Sequence, residues 1–168
     1  VIDSLHFWGD NFNYTPGEIV LESAVTDSMR YVSLESSILN ARIDGTYRFS
    51  TLPDEFSNFM HQYLPGFFPQ NRYTRQNYNN FNVGVEIFNT KVLSQILDLP
   101  LTVIEPIKMK ANVNIIDNRL TLDGDIPYVK FGDMDVRNNT FALSNSDGSL
   151  SLKTVVNLHQ QEGAIALN

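Results

Sequence analysis

Three histidines, 19 acidic side chains and one short basic-aromatic stretch are the raw material for chemistry in this 168-residue chain. His6, His61 and His159 lie far apart, no two of them at the spacing of metal ligands, and no His-Glu-x-x-His run is present. Each is read as a solvated or hydrogen-bonded structural histidine. The acids of Asp123-Gly124-Asp125 and Asp133-Met134-Asp135 raise the question of calcium. Calcium needs six to eight converging oxygens, and neither run has the Asp-x-Asp-x-Asp-Gly order of an EF-hand loop. Asp and Gly are also the residues that hairpin ends select, so these runs are read as turns, and no metal site is expected. A glycosidase would need two carboxylates facing across a cleft, and no pair stands out in the sequence. Phosphate-binding, dinucleotide-binding and nucleophile-elbow fingerprints are missing. No catalytic residue and no cofactor are therefore assigned, and the chain is read as non-enzymatic. Arg72-Tyr73-Thr74-Arg75 with Tyr78 mixes base and aromatic as single-strand nucleic-acid sites do. It is isolated in a chain of net charge −7, so it is read as a surface loop and no nucleic-acid partner is expected.

The elements must be inferred from composition and period. Hydrophobic residues make up 42 % of the chain and charged residues 18 %. Asn, Ser and Thr fill the polar positions, which suits a β protein rich in turns. There is no cysteine, so disulfides, cysteine zinc sites and thiol catalysis are excluded. No stretch approaches the roughly 20 apolar residues of a membrane span. A chain of this length can bury a core without staples. Residues 1–168 are expected to form a single β-rich domain or segment excised from a larger protein.

Period-two alternation marks most of the chain as strand. Phe7, Trp8, Phe12 and Tyr14 read as a strand or loop with aromatic anchors that ends at Pro16-Gly17. Ile19, Leu21, Ser23 and Val25 alternate up to a turn at Asp27-Ser28. Residues 31–50 read as one long β run whose apolar phase changes near Ile38–Asn40, which a bulge or corner would reconcile. Residues 69–82 read as a loop, and Val83, Val85 and Ile87 as a strand. From Leu101 the pattern is a meander of short strands separated by Asp117-Asn118, Gly132-Asp133, Asn138-Asn139 and Asp147-Gly148. Two amphipathic helices interrupt the strands, at about 52–64 and 90–97. The first is expected to be capped by Thr51, with Pro53 and two acids in its opening turn. Its packing face is Phe56, Phe59, Met60, Tyr63 and Leu64. The second presents Val92, Leu93, Ile96 and Leu97. The expected fold is mainly β: a curved antiparallel sheet of amphipathic strands with two short helices.

The run Ser37-Ile38-Leu39-Asn40-Ala41-Arg42-Ile43-Asp44-Gly45-Thr46-Tyr47-Arg48-Phe49, with the helix that follows to Pro65, resembles the TamB-like envelope proteins of the AsmA-like superfamily. So does Ala111-Asn112-Val113-Asn114-Ile115-Ile116-Asp117-Asn118-Arg119-Leu120-Thr121-Leu122-Asp123-Gly124-Asp125. The likeness is one of style over residues 18–160 and is most specific in 37–65. It implies a periplasmic location with an inner-membrane anchor outside this fragment, and a long curved sheet with an apolar interior. It also implies roles in phospholipid transport or outer-membrane assembly. The helical insertions depart from a plain elongated groove.

Three functions follow. In the first, the apolar strand face binds phospholipid acyl chains, lined by Ile19, Leu21, Val32, Leu34, Val113, Ile115, Leu120, Leu122, Val156 and Leu158. In the second, the helices fill that face, and the chain is a closed β scaffold or protein-interaction domain without lipid conduction; outer-membrane assembly proteins are partners that the resemblance implies. In the third, exposed aromatics such as Trp8 serve a carbohydrate-active domain.

Overall fold

The computed structural model describes residues 7–9, 12–15, 17–27, 29–71, 79–88, 94, 100–146 and 148–160. The first strands, β1 (Phe7–Gly9) and β2 (Phe12–Tyr14), form a two-stranded sheet of their own. The remaining strands are β3 (Val20–Thr26), β4 (Met29–Glu35), β5 (Leu39–Thr46), β6 (Asn80–Ile87), β7 (Leu101–Glu105) and β8 (Ile107–Asn114). They continue with β9 (Arg119–Phe131), β10 (Met134–Ser146), β11 (Ser149–Val155) and β12 (Leu158–Gln160). These ten make one antiparallel sheet in the order β11-β10-β9-β8-β6-β5-β4-β3, with β7 also on β9 and β12 also on β10. The sheet does not close into a barrel. The chain is thus mainly β, with one short helix, α1 (Leu52–His61), among the described residues. No helix among them is long and apolar enough to cross a membrane. The expected second helix, with Val92, Leu93, Ile96 and Leu97, falls outside the described residues, as do Arg72–Tyr78 and His6.

Register explains why one face is apolar. Val32, Ile43, Val83, Ala111, Leu122 and Leu143 are successive cross-strand partners from β4 to β10. One residue along each strand, Asp44, Asn82, Asn112, Thr121 and Ser144 are partners on the opposite face. Amides there bond across strands: Asn82 Nδ2 donates to Asp44 Oδ2 at 3.2 Å, and Asn112 Nδ2 to Asn82 Oδ1 at 2.9 Å. Because side chains alternate with period two, a one-residue slip would turn every one of these outside in.

Four expectations are corrected. The phase change near Ile38 is not a bulge in a long strand. It is a reversal between β4 and β5, closed by the Ser36 hydroxyl, which accepts from Ile38 N and Leu39 N and donates to Leu39 O at 2.8 Å. A hydroxyl bonded to nearby backbone replaces the glycine or proline that would have announced the turn. Residues 119–131 and 134–146 are two long strands rather than four short ones. Thr51 makes no side-chain cap; its Oγ1 donates to Arg48 O at 3.5 Å instead. Finally, Val156 stands between strands, exposed, rather than within one.

The long strands cross a crease. Pro106 separates β7 from β8, and the β7–β9 register shifts between Val103 and Glu105. Pro127 lies opposite Asn138, which has φ 52°, and no bridge forms there, so the missing proline donor costs no ladder bond. On the other side of β10, residues 137–139 face only residues 156 and 157, an extra residue in β10. Asn157 fastens the fold, donating from its amide to Asn138 O at 2.9 Å and accepting from Arg137 N at 3.2 Å. Beside the crease, Asp135 accepts from Arg137 Nη2 at 2.9 Å and Tyr128 OH at 3.1 Å, while the Arg137 guanidinium lies 4.1 Å from the Tyr128 ring centre. Desolvation pushes the Asp135 pKa up, but these donors and the Arg137 and Lys130 charges outweigh it and hold the carboxyl below its ordinary value.

α1 packs across one end of the apolar face. Phe59 and Met60 are buried with Tyr47, Phe81, Val113 and Leu120. Phe56, Tyr63 and Leu64 pack around that cluster half-buried; Tyr63 and Leu64 do so from the turns after the helix. The Tyr47 ring meets Phe49 and Phe81 edge-on at 5.0 and 6.1 Å. Its hydroxyl is buried with no hydrogen-bond partner among the described residues. Burial pushes the Tyr47 pKa up, opposed by Arg30 and aided by Asp44. Because this hydroxyl is desolvated without return, Tyr47→Phe should leave stability unchanged or raise it by up to about 1 kcal/mol. Urea denaturation measures this, and a loss of more than about 1 kcal/mol would mean the hydroxyl is bonded after all.

Candidate functional site

The helix covers the apolar face unevenly. Phe59 and Met60 seat against the end row of the sheet, on Phe81, Val113 and Leu120. The next row inward, Val83, Ala111, Leu122 and Leu143, lines a cleft with Leu52, Pro53, Phe56 and Met60 of the helix. Ala111 is the short side chain in that row. The outcome is a cleft of about 430 Å³ between α1 and the sheet, with an entirely apolar lining. No described polar atom there could orient a reacting group, so its chemistry is restricted to burying apolar surface.

The residues proposed from sequence divide between several places. Val113, Leu120 and Leu122 line the cleft. Val32 lies in the same cross-strand row as Leu122, two strands beyond the cleft's Val83. Leu21 and Leu34 are partners one row further in, at the β3 edge. Ile115 lies in the β8–β9 turn, half-buried against the helix-side core. Ile19 forms an isolated bridge before β3. Val156 is solvent-exposed at the crease, away from the cleft lining, and the Leu158 side chain is outside the described residues. The cleft residues missed from sequence are Phe81, Val83, Ala111 and Leu143. Phe81 fell within residues read as loop. The alternation of Val83 and Leu143 was visible, but not their convergence under one helix.

One row beyond, Gly124 pairs with Phe141. A Cβ on Gly124 would fall 2.1 Å from Phe141 Cε1, so the Phe141 ring lies directly over the glycine. An aromatic laid across a strand glycine covers backbone that would otherwise be bare.

The polar face holds two larger hollows, of about 530 and 510 Å³, which share Lys108 and Lys110. Their floors pass over Ala142 and Gly84, where short side chains leave room between long charged ones. Lys110 pairs in register with Asp123, and Lys108 with both Glu86 and Asp125. Signs alternate from strand to strand, and the Lys108–Glu86 contact at 3.4 Å is well solvated. Such pairs contribute little and present no net charge to a ligand. Size therefore does not decide between the hollows and the cleft; the free energy available on desolvation does, and it favours the apolar cleft.

Among the described residues no three His, Cys, Asp or Glu converge on a point. The His61 ring Nδ1 is 2.7 Å from Phe68 O, a structural bond that helps lay residues 68–71 back along α1. Asp123 and Asp125 stand on the polar face opposite lysines, and Asp133 lies in the β9–β10 turn.

No family model, curated protein or solved structure matches this chain. Its fold and its cleft must be interpreted on their own chemistry.

Proposed function

We propose that this chain is a non-enzymatic segment of a TamB-like envelope protein, lying in the periplasm and anchored through a part of the protein outside it. In this reading its apolar sheet face takes up phospholipid acyl chains. The observation that carries the proposal is the cleft between α1 and the open sheet, apolar on every side and backed by an apolar row across six strands. A methylene moved there from water gains about 0.8 kcal/mol. Four of them would gain about 3 kcal/mol, roughly two orders of magnitude in affinity. Binding would be passive, with the open sheet letting a chain enter from the side.

A second reading rests on the seating of Phe59 and Met60. In it, α1 permanently closes the face, and the chain is a scaffold that contacts other proteins of outer-membrane assembly.

One variant separates the two. Ala111→Leu adds a branched side chain at the floor of the cleft. Under the first reading it displaces the ligand, and the affinity for a fluorescent fatty acid falls about tenfold with the fold intact. Photo-crosslinkers at Val83 and Leu122 should capture lipid from cells, and one at Asn112 on the polar face should not. Lipid captured at Asn112 alone, or fatty-acid binding unchanged in Ala111→Leu, would sink the acyl-chain reading.

A further inference from the structure

Several turns of this fold carry solvent-exposed apolar side chains. At one end of the sheet β3 passes to β4, β5 passes to α1, and β8 passes to β9; the pairs Thr26–Met29, Gly45–Phe81 and Val113–Leu120 place these connections side by side along that end. Met29 opens β4 directly after the turn and is 55 % exposed; Phe49 leads into α1 and is 52 % exposed; Ile116 sits in the β8–β9 turn and is 56 % exposed. Phe67 stands in the turns after α1, its N–H donating to Leu64 O at 3.0 Å; it follows Tyr63 by four residues, and the Tyr63 hydroxyl is bonded to Asn118 of the β8–β9 turn at 3.2 Å. Phe67 is 83 % exposed, in a turn that includes Pro65-Gly66. Turns normally take polar residues, because their backbone is already solvated.

Both signs of charge stand at this end: Asp27 precedes Met29 by two residues and Asp117 follows Ile116, while three arginines accompany the apolar side chains. Arg30 adjoins Met29, Arg48 adjoins Phe49, and Arg119 follows Ile116 by three residues. None of these three is in an ion pair among the described residues, whereas Arg42 and Arg137, elsewhere on the sheet, each hold an aspartate. Asp117, in the turn with Ile116, is held by the Asn114 amide at 2.8 Å. The end of the molecule therefore presents separate apolar points, accompanied by guanidinium groups that hold no ion pair among the described residues.

We propose that this end docks on a lipid bilayer, with Met29, Phe49, Phe67 and Ile116 entering the headgroup–acyl boundary and Arg30, Arg48 and Arg119 bonding lipid phosphates. Points on separate turns, divided by solvated backbone, suit a fluid surface that closes around each one; a rigid protein partner needs one continuous patch. Guanidinium groups bond phosphate in a bidentate manner. The net charge of −7 gives no long-range attraction, so insertion rather than bulk field holds the protein there. The docking does not depend on occupancy of the cleft, and each can fail without the other.

The test is co-flotation of the chain with phosphatidylcholine vesicles and with vesicles that also contain phosphatidylglycerol. Binding to both is expected, tighter on the second. The triple variant Met29→Ser, Ile116→Ser, Phe67→Ser should bind at least about tenfold more weakly, with unchanged circular dichroism. Phe67→Ser alone, at so exposed a site, cannot disturb the core and should still weaken binding measurably. Phe67→Trp should show a blue-shifted emission on vesicles and quenching by brominated lipid. Failure to float, or binding that the substitutions leave unchanged, overturns the proposal. Self-association without vesicles that the same substitutions abolish would assign this end to a second copy of the chain and overturn it equally.

Discussion

Asn79→Ala should lower stability by about 3–5 kcal/mol, although sequence places Asn79 in a polar loop. The side chain is 1 % exposed and joins three elements. Its Oδ1 accepts from the backbone of Arg48, between β5 and α1, at 3.2 Å; its Nδ2 donates to the carboxylate of Glu55 on α1; and its own carbonyl accepts from Ile115, in the β8–β9 turn, at 3.0 Å. Alanine keeps the last bond and removes the other two. Glu55 is itself buried, so the carboxylate loses a charge-assisted bond where water cannot replace it. Asn79→Asp tests the same point by charge. It sets a second carboxylate against Glu55, and its cost at pH 7 should exceed that of alanine. Urea denaturation measures this. A cost below about 1 kcal/mol for alanine, or a cost for aspartate no greater than that for alanine, would refute the role given to Asn79.

Gly45→Ala should cost at least about 3 kcal/mol and lower Tm by roughly 6–12 °C. Gly45 has φ +144°, a conformation that side-chain-bearing residues rarely adopt. A Cβ there would lie 2.3 Å from Asn80 O and 2.7 Å from Phe81 Cα, both backbone atoms of the neighbouring strand. No rotamer change relieves such a contact, so β5 and β6 must separate. They would part where Phe81 joins Tyr47 and Phe59 in the core and next to Asn79. Gly84, on the neighbouring strand β6, meets nothing within 4 Å of a built Cβ, and Gly84→Ala is the control that should change stability little. Equal effects at the two glycines would disprove the steric account.

Much of the sheet was legible because strands and turns are local. Period-two alternation follows from backbone geometry, and so the apolar face could be named residue by residue. The turns at Asp27, Asn118, Gly132 and Gly148 were legible too: each has a positive φ, the conformation for which Asp, Asn and Gly are selected. The Ser36–Ile38 reversal was missed because a hydroxyl bonded to backbone closes it, and serine is common in strands and loops alike. Asn138-Asn139 looked like the end of a strand. Asn138 falls opposite Pro127, where no bridge is needed, and the strands run on through the crease.

By itself the sequence determined the class of fold, the strand faces, the place of α1 and the absence of cysteine chemistry. It could not determine which apolar residues share a space. Val83, Ala111, Leu122 and Leu143 are brought together by the pairing order of four strands, and that order depends on non-local contacts. Nor could it determine that α1 seats firmly through Phe59 and Met60 while Leu52 and Phe56 bound a cleft, since a helical stripe reads the same whether it is fully or partly packed. The arrangement of Met29, Phe49 and Ile116 at one end, beside arginines that hold no ion pair among the described residues, likewise exists only once the chain has reversed direction at each turn.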